Sequence, residues 1–380
     1  MSKAKTESKA GRVSVGELIK SINKKANRNV AHSLMEDNPT DVKDWIPTGS
    51  TWLDATICKG KWAGIPIGKI VEIAGLEATG KSYMAAQIAA NAQKKNILPV
   101  YFDSESALDS EFLIRAGCDL SDLVYVQASS VEFVLETIEH LLDVSDRQLL
   151  FIWDSLAFTP SISDVEGSFD PQSTVAAKAR ILAKGVSKLT IPIADKQATW
   201  LVLNQLKTNI TRIAAEALTT PYITPGGKAM SYAYSLRIWL TGRKAKAAYI
   251  TAENGYRIGS EVKAKLEKSR FGSQGRSVTF KILWGTDSVG IQDDESIFEA
   301  ISTTPVMSGG AGGWYTFKIG DYEKRFRSAD WNLLMSEDDE FKAKVMEAVE
   351  QEVIQKFSNQ EGHASDFYDL DGEEGDSLDE

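Results

Sequence analysis

The stretch VEIAGLEATGKSYMAAQ, residues 71–87, has the residue types and the spacing best suited to chemistry in this chain. From Gly75 to Ser82 it matches the pattern G-x-x-x-x-G-K-[ST], between a strand-like apolar run and a segment with helical apolar spacing. Such a loop turns several backbone N–H groups toward one anion, and the helix after it adds the positive end of its dipole. An ordinary strand-to-helix turn would match by chance in on the order of one chain in a hundred, so the pattern favours nucleotide binding. The expected nucleotide contacts are Gly75, Leu76, Glu77, Ala78, Thr79, Gly80, Lys81, Ser82 and Tyr83.

Four side chains in and beyond this loop suit phosphoryl chemistry. Lys81 is expected to contact the β- and γ-phosphates, and Ser82 is expected to hold Mg²⁺. The apolar run LLFIWD ends in Asp154. In proteins with this type of glycine-rich phosphate-binding loop, an acidic residue at the end of such a strand positions hydrated Mg²⁺. Glu105, in YFDSESALD, follows another strand-like run and could orient the attacking water for γ-phosphate cleavage. Acidic residues after strands also cap helices, so each carboxylate taken alone leaves a structural role open.

An alternation of strands and helices must position these side chains. The pattern predicts a mostly parallel sheet that is covered by helices on both faces. Later apolar runs, KAKLEKS and VTFKILW, come without long helices between them and predict antiparallel pairing at the sheet edge. The predicted strands are 70–74, 98–103, 123–128, 149–154, 199–204 and 234–241, and the predicted helices are 82–95, 109–116, 130–143 and 174–196, preceded by a basic helical segment from Val15 to Ala31.

Shifts in composition and pattern divide the chain into four predicted segments. Residues 1–45 are predicted to form a basic N-terminal helical segment, and residues 46–287 are predicted to form the α/β core that contains the nucleotide loop. From about Ser288 the pattern changes to short helices and a Gly-rich hairpin, SGGAGGWYTF, which predicts a small C-terminal α+β domain over 288–358. Residues 359–380 are expected to be an acidic, disordered tail.

Charge is distributed unevenly along the chain. The formal net charge is −10, but residues 361–380 carry nine acidic side chains and no Lys or Arg. The rest of the chain is therefore nearly neutral, and residues 237–276 hold ten Lys or Arg against three acids. That basic run suits either a solvated face or contact with a nucleic acid.

Cysteine usage and hydropathy indicate where the protein acts. Two distant cysteines, Cys58 and Cys118, indicate neither a disulfide framework nor a metal site, so a reducing, cytoplasmic setting is expected. The N-terminal residues MSKAKTESKAGRVSV lack the apolar core of a signal peptide. No apolar run approaches the ~20 residues that span a bilayer.

Six motifs, in order along the chain, resemble the RecA family of homologous-recombination ATPases. They are IPTGSTWLDATICKGKWAGIPIGKIVEIAGLEATGKS, FDSESALD, FIWDS, VLNQLK, TPGGKAMSYAYSLR and GGWYTF, and the resemblance extends from about Leu18 to Trp331. The acidic tail and the Glu-Lys-Ser-Arg run at 267–270 further resemble the UvsX-like recombinases of tailed phages, in which His tends to stand where this chain has Gln205.

The resemblance implies a RecA-type P-loop fold and an ATP-dependent recombinase. It implies that residues 1–45 serve polymerisation and that residues 46–287 are the ATPase core with its DNA-binding loops. Such a protein forms a homo-oligomeric helical filament on single-stranded DNA with ATP and Mg²⁺, pairs it with homologous duplex DNA and exchanges strands. It also implies single-strand-binding and mediator proteins as partners, no membrane association, and the host cytoplasm as location if a phage encodes the chain. A stripe of Leu18, Ile19 and Ile22 would dock on the neighbouring subunit, or else pack on the chain's own core.

The resemblance also assigns catalytic roles. Glu105 would be the catalytic glutamate, and Gln205 would sense the γ-phosphate and pass the signal to the adjacent DNA-binding loop. Lys268 and Arg270 match the family's paired cations, which reach the neighbouring subunit's γ-phosphate and act there as arginine fingers do.

Three further residues match the positions that surround the adenine. Asp109 and Phe112 would hold the base, Phe112 by its ring face, and Trp284 would approach it from the far side. A buried helix aromatic and a strand aromatic are the structural alternatives.

Two loops are expected to face DNA. VEGSFDPQSTVAAKAR follows the Asp154 strand, and KTNITRIAAEALTTPYITPGGK follows Gln205. The second has ~20 residues without clear periodicity, which is more typical of a functional loop than of a connector. Its glycines and cations suit a phosphate chain, and Ile213 could wedge between bases, although Ser231 stands where the bacterial family usually has Lys. The expected DNA-binding residues are Lys178, Arg180, Lys207, Arg212, Ile213, Gly226, Gly227 and Lys228.

Three other functions fit parts of the pattern. A hexameric replicative helicase of the same fold would normally carry an extra N-terminal domain, for which the 45 residues before IPTGS leave little room. A recombination mediator would keep ATP binding without strand exchange, against which Lys81, Glu105, Asp154 and Gln205 count. A small-molecule kinase would need a lid or an acceptor pocket, which no motif supplies.

Overall fold

The computed structural model describes residues 13–27, 29–35, 41–57, 61–167, 175–210, 221–242, 249–284 and 289–354. The chain forms two compact units, residues 1–43 and 44–380. None of the described helices is long and apolar enough to cross a lipid bilayer.

The smaller unit contains one described helix, α1 (Val15–Ala26). A capping box begins it, in which the Ser14 hydroxyl accepts from the Glu17 amide and the Glu17 carboxylate accepts from the Ser14 amide. The helix ends earlier than the predicted Ala31 because Asn27 adopts a left-handed conformation. Beyond it, the Asn23 side chain accepts from the amides of Val30 and Ala31, which turns the chain back.

The larger unit is built on a sheet of ten described strands. Two short strand pairs lie outside this sheet, β1 (Trp45–Ile46) with β2 (Ile65–Pro66), and β8 (Lys207–Thr208) with β9 (Tyr222–Ile223). The strands of the sheet are β3 (Ile70–Gly75), β4 (Leu98–Asp103), β5 (Val124–Gln127), β6 (Leu149–Asp154), β7 (Thr199–Gln205), β10 (Leu236–Thr241), β11 (Tyr249–Thr251), β12 (Arg257–Ser269), β13 (Ser277–Leu283) and β14 (Gly290–Gln292). The order is β14-β13-β12-β10-β3-β7-β6-β4-β5, with β11 paired to β12.

Parallel and antiparallel strands occupy different halves of this sheet. Pairing is parallel from β10 through β3, β7, β6 and β4 to β5, and antiparallel among β10, β11, β12, β13 and β14. The parallel strands β3, β6 and β7 are buried along almost their whole length, as strands covered on both faces must be. The predicted α/β class, with antiparallel pairing added at the edge, is confirmed.

Seven described helices connect these strands. They are α2 (Thr51–Ile57), α3 (Lys81–Gln93), α4 (Ser110–Arg115), α5 (Val131–Val144), α6 (Ile162–Glu166), α7 (Val175–Asp195) and α8 (Gly227–Ala233). The main apolar core lies where α5 and α7 pack on the sheet, and the rings of Trp153 and Trp200 stack there with centroids 6.0 Å apart. The packing of α3 against β3, β4, β6 and β7 places the start of that helix beside the strand ends.

A second, smaller sheet follows the main one in sequence. Its antiparallel strands are β15 (Met307–Gly309), β16 (Trp314–Ile319) and β17 (Tyr322–Arg327), and its helices are α9 (Asp294–Ser302), α10 (Trp331–Glu337) and α11 (Asp339–Val349). Phe326, Trp331 and Phe341 form an aromatic cluster between strands and helices. The predicted division at 45, 287 and 358 stays a prediction, and the tail from 359 lies outside the described residues.

Candidate active site

The glycine-rich loop joins β3 to α3 in a conformation that its glycines make possible. A Cβ on Gly75 would lie 2.4 Å from the Thr79 hydroxyl oxygen, and one on Gly80 would lie 2.4 Å from Cδ1 of Ile282. Gly80 also has a φ of 80°, a backbone conformation that side chains disfavour. The glycines therefore permit the tight turn that leads directly into α3, and a helix N-terminus after such a loop is suited to anion binding.

Lys81 lies inside the curl of this loop. Its ammonium donates hydrogen bonds to the carbonyl oxygens of Leu76, at 3.0 Å, and Gly75, at 3.4 Å. Burial lowers the pKa of Lys81, while the negative charges of Asp154 and Glu105 oppose that shift. The Lys81 ammonium is thus a cation that interacts with the carboxylates of Asp154 and Glu105.

Asp154 is held from two sides at the end of β6. The Tyr101 hydroxyl donates a 2.8 Å hydrogen bond to Oδ2 of Asp154, and Ser82 also bonds this carboxylate. Burial raises the pKa of Asp154, and the hydrogen bonds from Tyr101 and Ser82 oppose the rise. Ser82 and Asp154 offer only oxygen ligands. That set suits Mg²⁺, which usually completes its coordination with water molecules and substrate phosphate oxygens. In the described part of the chain, no cluster of three His, Cys, Asp or Glu forms an all-protein metal cage.

Glu105 lies in the exposed loop that follows β4. The Ser155 hydroxyl donates to Oε1 of Glu105 at 3.0 Å. Asp103, the last residue of β4, accepts from the backbone amides of Glu105 at 2.9 Å and Leu108 at 3.1 Å, and so shapes this loop. The side chain predicted to orient water is therefore supported by its own loop and by the neighbouring strand β6.

One pocket brings three of the predicted nucleotide-binding residues, Ser82, Asp109 and Phe112, together with Glu105 and Asp154. Asp109 caps α4 by accepting from the Glu111 amide, and the Phe112 ring packs edge-on against Tyr83 with centroids 5.8 Å apart. Trp284 is not among the pocket's lining residues and instead lies 5.1 Å from the Arg257 guanidinium. The pocket is lined by Ser82, Asp103, Glu105, Ala107, Leu108, Asp109, Phe112 and Asp154.

Gln205 ends β7 directly beside the glycine-rich loop. It pairs in parallel with Gly75, and the amide of the next residue, Leu206, donates to the Gly75 carbonyl at 3.0 Å. The strand end that opens the second predicted DNA loop is thus one strand spacing from the nucleotide loop.

Comparison with known proteins decides the family. The model of the RecA N-terminal domain matches residues 14–290. Protein RecA of Bifidobacterium breve is 30% identical over 283 residues, which cover 74% of this chain and 67% of that protein. The chain belongs to the RecA family.

Other RecA proteins give the same result. Protein RecA of Acidothermus cellulolyticus is 30% identical over 275 residues, covering 72% of this chain and 74% of that protein. Protein RecA of Fusobacterium nucleatum subsp. nucleatum is 28% identical over 326 residues, covering 85% and 81%. As a RecA-family protein, the chain is a DNA-dependent ATPase and a recombinase of homologous recombination and repair.

The paired cations of this RecA-family chain lie together at the end of α8. The Lys268 ammonium donates to the carbonyls of Ser231 at 2.8 Å and Tyr232 at 3.0 Å, and Arg270 donates to the Tyr232 carbonyl at 2.9 Å. Cations at a helix C-terminus interact favourably with its dipole. Burial lowers the pKa of Lys268, and the positive charge of Arg270 adds to that shift.

Lys178 has an intramolecular role that the sequence did not indicate. Its ammonium donates to the carbonyls of Thr159 at 2.6 Å and Leu156 at 2.8 Å, in the turn after β6. The predicted DNA contact of Lys178 stays a prediction. In the described structure its ammonium hydrogen-bonds the carbonyl oxygens of that turn. Arg180, two residues further along α7, is exposed.

The remaining predicted DNA residues lie near the second loop. Gly226 and Gly227 have φ angles of 109° and 77° and begin α8, and Lys207 and Lys228 are exposed. Arg212 and Ile213 lie outside the described residues.

Sequence reasoning missed Tyr101, Asp103 and Ser155. Asp103 pairs with Asp154 across β4 and β6, and carboxyl ends of parallel strands meet at one edge of a sheet. That rule was a signal for Asp103. The two hydroxyl contacts depend on side-chain packing and left no pattern in the sequence.

Proposed function

We propose that the pocket beside the glycine-rich loop binds Mg²⁺-ATP and hydrolyses it with water oriented by Glu105. The observation that carries this proposal is the convergence of Lys81, Ser82, Glu105 and Asp154 on one edge of the parallel sheet. In this arrangement the loop amides and the Lys81 ammonium bind the phosphates. Ser82 and Asp154 would hold Mg²⁺, which would neutralise phosphate charge.

Glu105 acts on the attacking water. With Oε1 engaged by the Ser155 hydroxyl, Oε2 is left to accept a hydrogen bond from water. Lys81 exchanges its loop carbonyls for the γ-phosphate, where its charge stabilises the transition state. Asp109 and Phe112 contact the adenine, with Trp284 on the far side.

A neighbouring subunit completes the site. Lys268 and Arg270 release the α8 carbonyls and reach the γ-phosphate bound by the next subunit, so ATP bridges subunits in the filament. Hydrolysis removes that bridge. The exposed Leu18 and Ile22 of α1 provide an apolar face for docking on the neighbour.

Single-stranded DNA binds along the loops after β6 and β7, and homologous duplex DNA is paired against it. Arg180, Lys207 and Lys228 contact phosphates, and loop residues that include Arg212 and Ile213 enter between bases. We expect the protein to act in the cytoplasm with single-strand-binding and mediator proteins.

Electron microscopy with single-stranded DNA and a non-hydrolysable ATP analogue tests this function. Helical filaments are expected with both ligands, and ATPase activity is expected to rise when single-stranded DNA is added. ATP binding without DNA-stimulated hydrolysis or strand exchange would instead favour a mediator. Closed hexameric rings would favour a helicase.

A further inference from the structure

Glu72 places a carboxylate inside the sheet, three residues before the nucleotide loop. The residue is fully buried on β3. Its Oε1 accepts from Nδ2 of Asn204 at 3.0 Å, and its Oε2 accepts from Nε of Arg237 at 2.6 Å. The two donors come from β7 and β10, the strands on either side of β3. Buried ion pairs are often no more stabilising than apolar side chains of similar volume, so stability alone is a weak reason for this arrangement.

Both donors reach beyond Glu72 to the end of the second DNA loop. Nδ2 of Asn204 also donates to the Pro225 carbonyl at 2.9 Å. The Arg237 guanidinium donates through Nη2 to the Thr224 hydroxyl at 2.8 Å. Thr224 and Pro225 directly precede the glycine turn that begins α8. One carboxylate therefore orients two donors that hold the returning end of the loop.

The departing end of the loop is tied to the same place. Oδ1 of Asn204 accepts from the Gln205 amide at 3.0 Å. The ribbon of β8 and β9 then pairs the two ends of the loop, and the Asn209 amide donates to the Pro221 carbonyl at 2.9 Å.

Apolar packing also holds the two ends of the second predicted DNA loop. Leu206 and Trp239 are buried together with Ala74 of β3, and Leu76 of the nucleotide loop and Tyr222 of the ribbon pack against them. The nucleotide loop and both ends of the DNA loop therefore share one packed cluster beside the Glu72 network.

We propose that Glu72 is a positioning residue that couples the nucleotide site to the DNA loop. It fixes Asn204 and Arg237, which hold the residues at both ends of the loop. A shift of Gln205 toward the nucleotide then moves Asn204 and, through it, Pro225. The Arg237 guanidinium also lies 5.7 Å from the ring centroid of Tyr234 and 5.6 Å from that of Trp239, contacts that help to hold it in place. The proposal rests on the proposed function of this loop in binding DNA.

The test measures coupling rather than activity alone. Coupling is the ratio of the Kd for single-stranded DNA without nucleotide to the Kd with a non-hydrolysable ATP analogue. The first variant is Glu72→Gln, which leaves one donor facing an amide N–H, and the second is Asn204→Ala, which removes the link between Pro225 and Glu72. The third is Thr224→Val, which removes a hydroxyl that bonds both Arg237 and Glu72. Thr190→Val is the matched control, because it removes a hydroxyl bond within α7.

We expect coupling to fall by about fivefold or more in Glu72→Gln and Asn204→Ala and by about twofold in Thr224→Val. Nucleotide affinity without DNA and the coupling of Thr190→Val should match the unmodified protein. If Glu72→Gln does not fold, the other two variants decide the result. Unchanged coupling in the folded variants would overturn the proposal, as would an equal loss of nucleotide affinity without DNA. An unmodified protein that shows no coupling would also overturn the proposal, whereas one that does not bind single-stranded DNA would overturn the loop's proposed function.

Discussion

The Ser155 hydroxyl donates a 3.0 Å hydrogen bond to Oε1 of Glu105. Ser155 is buried at the end of β6, whereas Glu105 is exposed in the loop after β4. The residue that directly follows β6 thus gives the Glu105 side chain a buried hydrogen-bond partner outside its own loop.

Glu105→Gln should slow ATP turnover by about 10²- to 10⁴-fold, because an amide is a poor acceptor for the proton of the attacking water. ATP binding should survive, so filaments on DNA should be long-lived. Steady-state kinetics with saturating single-stranded DNA and filament lifetimes measure both effects. Normal turnover would remove Glu105 from its proposed role.

Ser155→Ala should lower kcat by about two- to tenfold with KM for ATP unchanged, since one hydrogen bond to Glu105 is lost. Ser106→Ala, which removes an exposed hydroxyl from the same loop, is the control and should leave kcat unchanged. Equal kcat values for Ser155→Ala and the unmodified protein would contradict the orienting role.

Lys268 and Arg270 should act on the neighbouring subunit's nucleotide. Lys81→Ala should abolish hydrolysis because the γ-phosphate loses its main point charge, and the double variant Lys268→Ala/Arg270→Ala should also be inactive. Mixing the two should restore some ATPase activity at interfaces that combine an intact loop with intact cations. Mixtures that stay inactive at every ratio would show that the cations do not act across the interface.

Tyr101→Phe should weaken the Mg²⁺ dependence of nucleotide binding. It removes one of the two donors that hold Asp154, and the Mg²⁺ midpoint for binding a fluorescent ATP analogue should rise by about two- to tenfold. Binding without Mg²⁺ should be unchanged. Tyr125→Phe is the matched control, because the Tyr125 hydroxyl lies 3.3 Å from Oδ2 of Asp103, outside the proposed ligand pair. The same midpoint in all three proteins would contradict the proposal.

The pH dependence of stability should reflect Asp54 in α2. Burial raises the pKa of Asp54 well above its usual range, so the folded protein retains a proton that the unfolded chain loses. The stability from Asp54 is fully present below about pH 4 and is lost as pH rises through the raised pKa. Asp54→Asn keeps an oxygen for the Thr48 amide and should flatten that loss in thermal melts from pH 4 to 8.

Asp122 provides a control with the opposite sign. Its hydrogen bonds with Arg147 lower the pKa of Asp122, so its contribution is present at neutral pH and is lost as pH falls below about 4. Asp122→Asn should therefore be less stable at pH 7 and should not flatten the loss above pH 4. If the melting temperatures of Asp54→Asn and of the unmodified protein fall equally as pH rises from 4 to 8, the assignment of this loss to Asp54 is contradicted.

Deleting residues 361–380 should strengthen binding to duplex DNA more than to single strands. Nine acidic side chains can compete with DNA for basic loops, while stacking also contributes to single-strand binding. In fluorescence anisotropy, the difference between full-length and truncated protein should shrink once the Debye length falls below about 8 Å. Unchanged affinities and salt slopes would instead indicate a solubility tail or a docking site.

The sequence by itself determined the parallel strands and the nucleotide loop. The runs LLFIWD and TWLVLNQ form strands that are buried on both faces. Such strands are nearly continuous apolar segments, so they can be recognised from consecutive residues alone. The spacing from Gly75 to Ser82 is local as well, because the turn that it builds spans only those residues. Strand-end acids could be assigned to one edge because parallel strands end together.

The tertiary structure alone decided which side chains meet. Asn204 and Arg237 reach Glu72 because β7 and β10 flank β3, an order that the residues in each strand do not specify. The same reason explains why the contact between Tyr101 and Asp154 went unpredicted. The predicted DNA contact of Lys178 follows from its charge and its place after a predicted DNA loop. Only the packing of α7 against the turn after β6 shows three carbonyl oxygens around its ammonium. Charge and residue type are local properties, whereas a hydrogen-bond partner depends on how distant segments pack.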